Sequence, residues 1–138
     1  MLPTASVVVP AHDAEATVED CARSLLALDY PPELLEIVVV DDGSRDLTRA
    51  LLEAMGDAVV VVAQAHRGRA AARNAGVRAA RGEVIAFTDA DCAVEPAWLS
   101  ELVAPLSDPA AGIAGGRTLA RPGAGRAERY GELVHDHR

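Results

Sequence analysis

Residues 36–44 read EIVVVDDGS, and residues 83–91 read EVIAFTDAD. In both, a short apolar run rich in β-branched residues stops abruptly at acidic and turn-forming residues. A run without polar alternation suits a strand covered on both faces, as in a parallel sheet, better than a half-solvated antiparallel one. Working outward, two more such runs appear, SVVVP at 6–10 and AVVVVA at 58–63. Segments of helical spacing separate them. Residues 14–28 carry apolar side chains at 18, 22, 25, 26 and 28, with Asp13 as the expected N-cap, and Pro31-Pro32 ends that helix. Ser44 is the expected cap of a second helix over 45–55, and Gly68 precedes an alanine-rich helix over 69–80 that Arg81-Gly82 terminates. Glu95-Pro96 starts a fourth helix running to Leu106, residues 111–115 read as a fifth strand, and a Gly/Pro/Arg-rich turn at 117–125 leads to a last helix from Arg126. Strands alternating with helices predict an α/β fold, an open and mostly parallel sheet with helices on both faces.

Composition narrows the class. The 138 residues include 28 Ala, 13 Arg, no Lys and one Phe; half are apolar and the net charge is −8. A chain of this size buries roughly two-thirds of its unfolded surface, so one globular domain is expected. The longest apolar stretches, 37–40 and 58–63, are far shorter than the ~20 residues of a membrane span. Met1-Leu-Pro-Thr lacks the basic start of a secretory leader, and Cys21 and Cys92 make no disulfide framework or zinc spacing. A cytoplasmic protein with reduced thiols is expected. The acidic balance argues against general nucleic-acid binding. Against it stands residues 64–81, with five arginines (67, 69, 73, 78, 81) and no acid, a basic island suited to one anionic ligand. Arg78 and Arg81 are read as helix C-terminal cations, while Arg67 and Arg69 fit either a ligand or a solvated turn.

In open parallel sheets ligands bind beyond the carboxyl ends of the strands. That singles out four loops: PAHD at 10–13, DDGS at 41–44, QAHRGR at 64–69 and DAD at 89–91. The first contains no glycine, which excludes a GxGxxG dinucleotide site, and a chain without lysine has no Walker A loop. The same glycine-free loop weighs against a nucleotidyltransferase, and DADCA lacks the Thr of an Asp-x-Asp-x-Thr phosphatase. Carboxylate chemistry survives. Asp89 and Asp91, two apart at a strand end, point the same way if the strand persists, and such a pair with water and phosphate oxygens can hold Mg²⁺ or Mn²⁺. The alternative is that Asp89 turns the chain and Asp91 caps the next helix. Asp42 can accept a hydrogen bond from a nucleobase ring N–H, or merely belong to a tight turn with Asp41, Gly43 and Ser44. His12 can stack on a base or bond to backbone; Cys92 is read as packing.

Taken in order, SVVVPAHDAEATVEDCARSLLALDYPPELLEIVVVDDGSRDLT and HRGRAAARNAGVRAARGEVIAFTDADC resemble the nucleotide-sugar-binding half of family 2 glycosyltransferases of the GT-A fold. The resemblance covers about residues 6–106 and implies transfer of a sugar from a nucleoside diphosphate donor, metal-assisted and usually inverting. It implies that Pro10, His12 and Asp42 line the base pocket, that Arg69 faces the nucleotide, that Asp89 faces the ribose and metal region, and that Asp91 holds the divalent cation. Asn74 and Gly76 are implied to be structural, and Asp13 stands where Asn is usual. Only 47 residues follow Asp91, and Glu95, Glu101, Asp108, Glu128, Glu132 and Asp136 match no catalytic-base motif. The expectation is therefore a donor-binding domain over 1–116, with 117–138 leading toward an acceptor half. The other reading is a non-catalytic nucleotide-diphosphate-binding or assembly module. The apolar stripe at 127, 130, 133 and 134 suggests self-association through the last helix.

Overall fold

The computed structural model describes residues 2–115; the turn at 117–125 and the helix expected from Arg126 lie outside them. The chain divides into two compact units, Met1–Ser100 and Glu101–Arg138, and the sheet and cleft below belong to the first. Four strands form one sheet: β1 (Ala5–Ala11), β2 (Leu35–Asp42), β3 (Val60–Gln64) and β4 (Val84–Phe87), in the order β3-β2-β1-β4 and all parallel. Between and after them run α1 (Val18–Leu26), α2 (Thr48–Glu53), α3 (Arg69–Ala79) and α4 (Trp98–Val103). No helix of the described residues is long and apolar enough to cross a membrane.

Every residue of β1 is buried, as is Ile37–Asp42 in β2, which explains why those stretches carry no polar alternation. Successive side chains point to opposite faces. Val8, Val38 and Val40 meet Ala72 of α3 with no exposure, and Val62, Ala75, Ala79, Ala80 and Ile85 pack around them. Burying each valine contributes about 1.5–3 kcal/mol. Val7, Val9, Ile37 and Val39 face the other way and are equally buried, on the side of the buried residues of α1 and α2. That division follows from handedness: right-handed crossovers from β1 to β2 to β3 put α1 and α2 on one face, and the return from β3 to β4 carries α3 across the other.

Three local expectations are corrected. Helix α1 begins at Val18 and not near residue 14. Asp13 is no N-cap; it adopts φ 47° and its Oδ1 accepts Arg45 N–H at 2.8 Å. The first amides of that segment are capped from the next loop, Ala14 N–H by Thr48 Oγ1 and Glu15 N–H by Asp46 Oδ2. Helix α2 likewise starts at Thr48, because Ser44 Oγ is spent on Asp13 N–H and Asp46 Oδ1 takes Thr48 N–H instead. Residues 111–115 join no sheet: among the described residues the sheet has four strands, and Ile113 between Gly112 and Gly115 is 94% exposed. Two glycines leave that run too little apolar surface to pay back the ordering of a strand.

Helix α3 lies close on the sheet because its inner stripe is Ala72, Ala75, Gly76 and Ala79. A Cβ on Gly76 would overlap Val8 Cγ1 and stand 3.2 Å from Val40 Cγ2. Gly76→Ala is therefore expected to lower stability by about 1–3 kcal/mol in urea denaturation, despite alanine's better helix propensity. Unchanged or raised stability would show that α3 has room to move off the sheet.

Candidate functional site

The strand order reverses at β1, which has β2 on one side and β4 on the other, so the carboxyl ends of β1 and β4 flank the crevice where such sheets bind ligands. Register brings the loops level: Ala11 pairs with Asp41, Asp41 with Ala63, and Asp42 with Gln64. A cleft of about 400 Å³ opens there, and Pro10, His12, Asp42, His66, Arg69, Asp89 and Asp91 all line it. All of these except His66 were singled out in the sequence, and the seven share one cavity contributed by four separate loops.

Asp42 forms its floor. The side chain is 3% exposed, and its carboxylate accepts four hydrogen bonds. Oδ1 receives Gln64 Nε2–H at 2.8 Å and Arg67 N–H at 2.9 Å; Oδ2 receives Gly68 N–H at 2.9 Å and the His66 ring at 2.9 Å. Burial works to raise its pKa, but the Gln64 amide, the two backbone N–H groups and His66 outweigh it and hold the carboxyl at about 2. The Asp42 carbonyl also takes part, with His12 Nδ1 at 2.8 Å and His66 Nδ1 at 3.2 Å. A carbonyl only accepts, so in each of these contacts the Nδ1–H is the donor. The two imidazoles stack, centroids 4.1 Å apart and planes at 25°. Gly43 makes the approach possible: at φ +69° it is in the left-handed region, and a Cβ there would stand 2.6 Å from His66 N. Asp41 keeps the turn role, its Oδ1 accepting Ser44 N–H at 3.2 Å.

Across the cleft, Asp89 Oδ1 pairs with Arg73 at 3.2 Å, and its carbonyl accepts Cys92 N–H at 3.0 Å. Asp91 is exposed beside it. Ligand atoms of Asp89, Asp91 and Cys92 lie within 4.8 Å of one another, as do those of His12, Asp42 and His66. A site able to take a divalent cation is therefore present. Of the two groups the first suits a hard ion, because Asp91 brings an exposed carboxylate and Asp89 a second oxygen, whereas every lone pair of the Asp42 carboxylate is engaged. Burial and then the Asp91 charge raise the Cys92 thiol, and burial pushes Cys21 up to about 12. Both shifts disfavour the thiolate, the form that acts as a nucleophile. Arg69 opens α3 at the rim, Arg67 contributes its backbone N–H to Asp42, and Arg78 lies in the last turn of α3 as its dipole favours.

Sequence reading missed Gln64, His66 and Arg73. Arg73 was legible, four residues after Arg69 and hence on the same helix face. The two others sat in a loop already assigned to the strand ends, but nothing in their spacing showed that they turn onto Asp42. Because the carboxyl sits below its ordinary 3.8, its ionised form stabilises the fold above about pH 4, and that contribution fades as pH falls toward 2. Asp42→Asn, which replaces acceptor capacity with donors, should cost about 2–4 kcal/mol at pH 7 and remove this part of the acid dependence, read by denaturation between pH 2 and 7. Parental stability at pH 7 would contradict the network.

Similarity to known proteins converges on one class. The family model described as Glycosyl transferase family 2 matches residues 6–136. Glycosyltransferase AglE of Haloferax volcanii is 30% identical over 97% of this chain and 46% of its own length. Among solved structures, the mannosyltransferase PcManGT from Pyrobaculum calidifontis in complex with GDP-Man and Mn²⁺ superposes with a TM-score of 0.73 at 29% identity, over 88% of this chain and 37% of that one. S. aureus TarS in complex with UDP-GlcNAc gives 0.68 at 28% identity, over 76% and 31%. The chain thus spans less than half the length of these relatives. The parallel sheet, the crevice at its switch point and the carboxylate pair on its rim agree with that match, and the chain belongs to glycosyl transferase family 2.

Proposed function

We propose that this chain is the donor-binding part of a glycosyltransferase, taking a nucleoside diphosphate sugar into the cleft for transfer to an acceptor the sequence does not name. The observation that carries the reading is that Pro10, His12, Asp42, Arg69, Asp89 and Asp91, from four loops, line one cavity at the switch point. The nucleotide complexes of two similar proteins, one with Mn²⁺, support it.

In this reading Pro10 and His12 wall the base end, with Asp42 beneath. Arg69, a cation at the N-terminus of α3, faces the diphosphate, where helix dipole and guanidinium attract the same charge. Arg73 holds Asp89 toward the ribose and metal side. Asp91 and Asp89 would hold the divalent cation, whose charge would offset the negative charge gathering on the departing nucleoside diphosphate. Inversion at the sugar requires a base near the acceptor hydroxyl, and no acid lining this cleft is assigned that role. Donor binding over 1–116 is accordingly the function given to this chain. Free Cys21 and Cys92 fit a cytoplasmic setting.

Calorimetric titration with UDP, GDP and dTDP, with and without Mn²⁺, tests the reading. Saturable binding of one nucleotide that needs the metal is expected, with Asp91→Asn weakening it about tenfold or more. Binding that ignores the metal and Asp91 would remove the cation from the proposal; no binding of any nucleotide would remove the function. Self-association through residues 126–138 is the accompanying proposal, and a strict monomer in sedimentation of the full chain would overturn it.

A further inference from the structure

His66 makes both contacts that a nucleobase would need in this cleft. Its Nδ1–H donates to Asp42 Oδ2 at 2.9 Å, and its ring lies on His12 with centroids 4.1 Å apart. A planar heterocycle that offers one ring N–H to a carboxylate while stacking on an imidazole is also what the N3–H edge of uracil or the N1–H edge of guanine presents. We infer that the His66 side chain occupies the base position of the cleft and that a bound nucleotide displaces it. This rests on the reading of the cleft as a nucleoside diphosphate site.

Three features make His66 the partner that leaves. It is the solvent-facing donor to Asp42, with a side chain 59% exposed against 3% for the aspartate. Its backbone is held: Arg67 and Gly68 N–H are fastened to Asp42 at 2.9 Å each, and Gly43 closes against His66 N. Only rotation about its own side-chain bonds is left to it. Its departure then withdraws one N–H, shared between Oδ2 and the Asp42 carbonyl oxygen, while Gln64, Arg67 and Gly68 keep their bonds to the carboxylate and His12 its bond to the carbonyl. One vacancy matches one ring N–H. Neutral adenine and cytosine have no N–H at a ring nitrogen of their pairing edge and cannot refill it in the same way. The exchange replaces a hydrogen bond with a hydrogen bond and a stack with a stack, so His66 competes with the ligand and lowers apparent affinity by the fraction of time the slot is open.

The test is calorimetric titration of the full chain with UDP and with GDP in the presence of Mn²⁺, on the parent, His66→Ala and His12→Ala. NMR of the histidine rings in the parent accompanies it. His66→Ala is expected to bind nucleotide about 3- to 10-fold more tightly, for a slot open about 10–30% of the time. His12→Ala should bind more weakly, and the His66 ring signals should move toward those of a solvated histidine as nucleotide is added. A His66→Ala chain that binds no better than a parent which does bind overturns the displacement and leaves the nucleotide site standing. If neither parent nor variants bind UDP or GDP, the function reading falls and this inference with it. Should His66→Ala fail to fold, the parent decides alone, because His66 signals unmoved at saturating nucleotide overturn the inference.

Discussion

A buried carboxylate with four donors is the constraint on which the carboxyl edge of this sheet depends. Asp42 ends β2, and ionising it away from water would be costly unless every acceptor position were met. The chain meets all of them from one short stretch, residues 64–68, so the loop after β3 is wrapped onto the end of β2 rather than left in solvent. That wrapping sets where α3 begins, since Gly68 donates to Asp42 and precedes the helix with φ +98°. It also explains the residue after Asp42: any side chain at position 43 would strike His66 backbone. Strand end, loop and helix start are one unit because a single charge has to be satisfied.

The remaining loops are tied by a second set of side-chain-to-backbone bonds that crosses between them. Asp13 and Glu15 of the first loop accept Arg45 and Leu47 N–H, while Ser44, Asp46 and Thr48 of the second accept Asp13, Glu15 and Ala14 N–H. Each loop therefore caps the other's orphan amides, and both helices start later than a local reading would have them. On the far wall the basic segment shows its use: Arg73 neutralises Asp89 and leaves Asp91 the freer carboxylate. The two acids of one short motif thereby acquire different electrostatic surroundings.

Much of the fold was legible. Uninterrupted apolar runs at 6–10 and 37–40 became strands buried on both faces, because a parallel sheet covered by helices tolerates nothing else there, and the run at 84–87 became the partly exposed edge strand β4. The alanine-rich stretch after Gly68 became α3 almost residue for residue. Where reading failed, it failed through tertiary competition for the same groups: Asp13 and Ser44 have good capping side chains, but they bond to each other's loops and not to their own helices. The run at 111–115 failed differently, its glycines leaving a lone exposed isoleucine.

The sequence by itself determined the sheet, its direction and hence the edge on which ligand chemistry belongs, since these follow from local hydrophobic pattern and from the handedness of crossovers. It also determined which loops to read, and the ordered motifs in them were enough to point to the family. Only the tertiary structure decided how those loops treat one another. That Asp42 is saturated, that His66 lies stacked on His12, and that Arg73 claims one acid of the pair are outcomes of contacts 16 to 54 positions apart along the chain. Pattern and propensity describe neighbours in sequence; a carboxylate's lone pairs are filled by whichever donors folding brings within 3 Å.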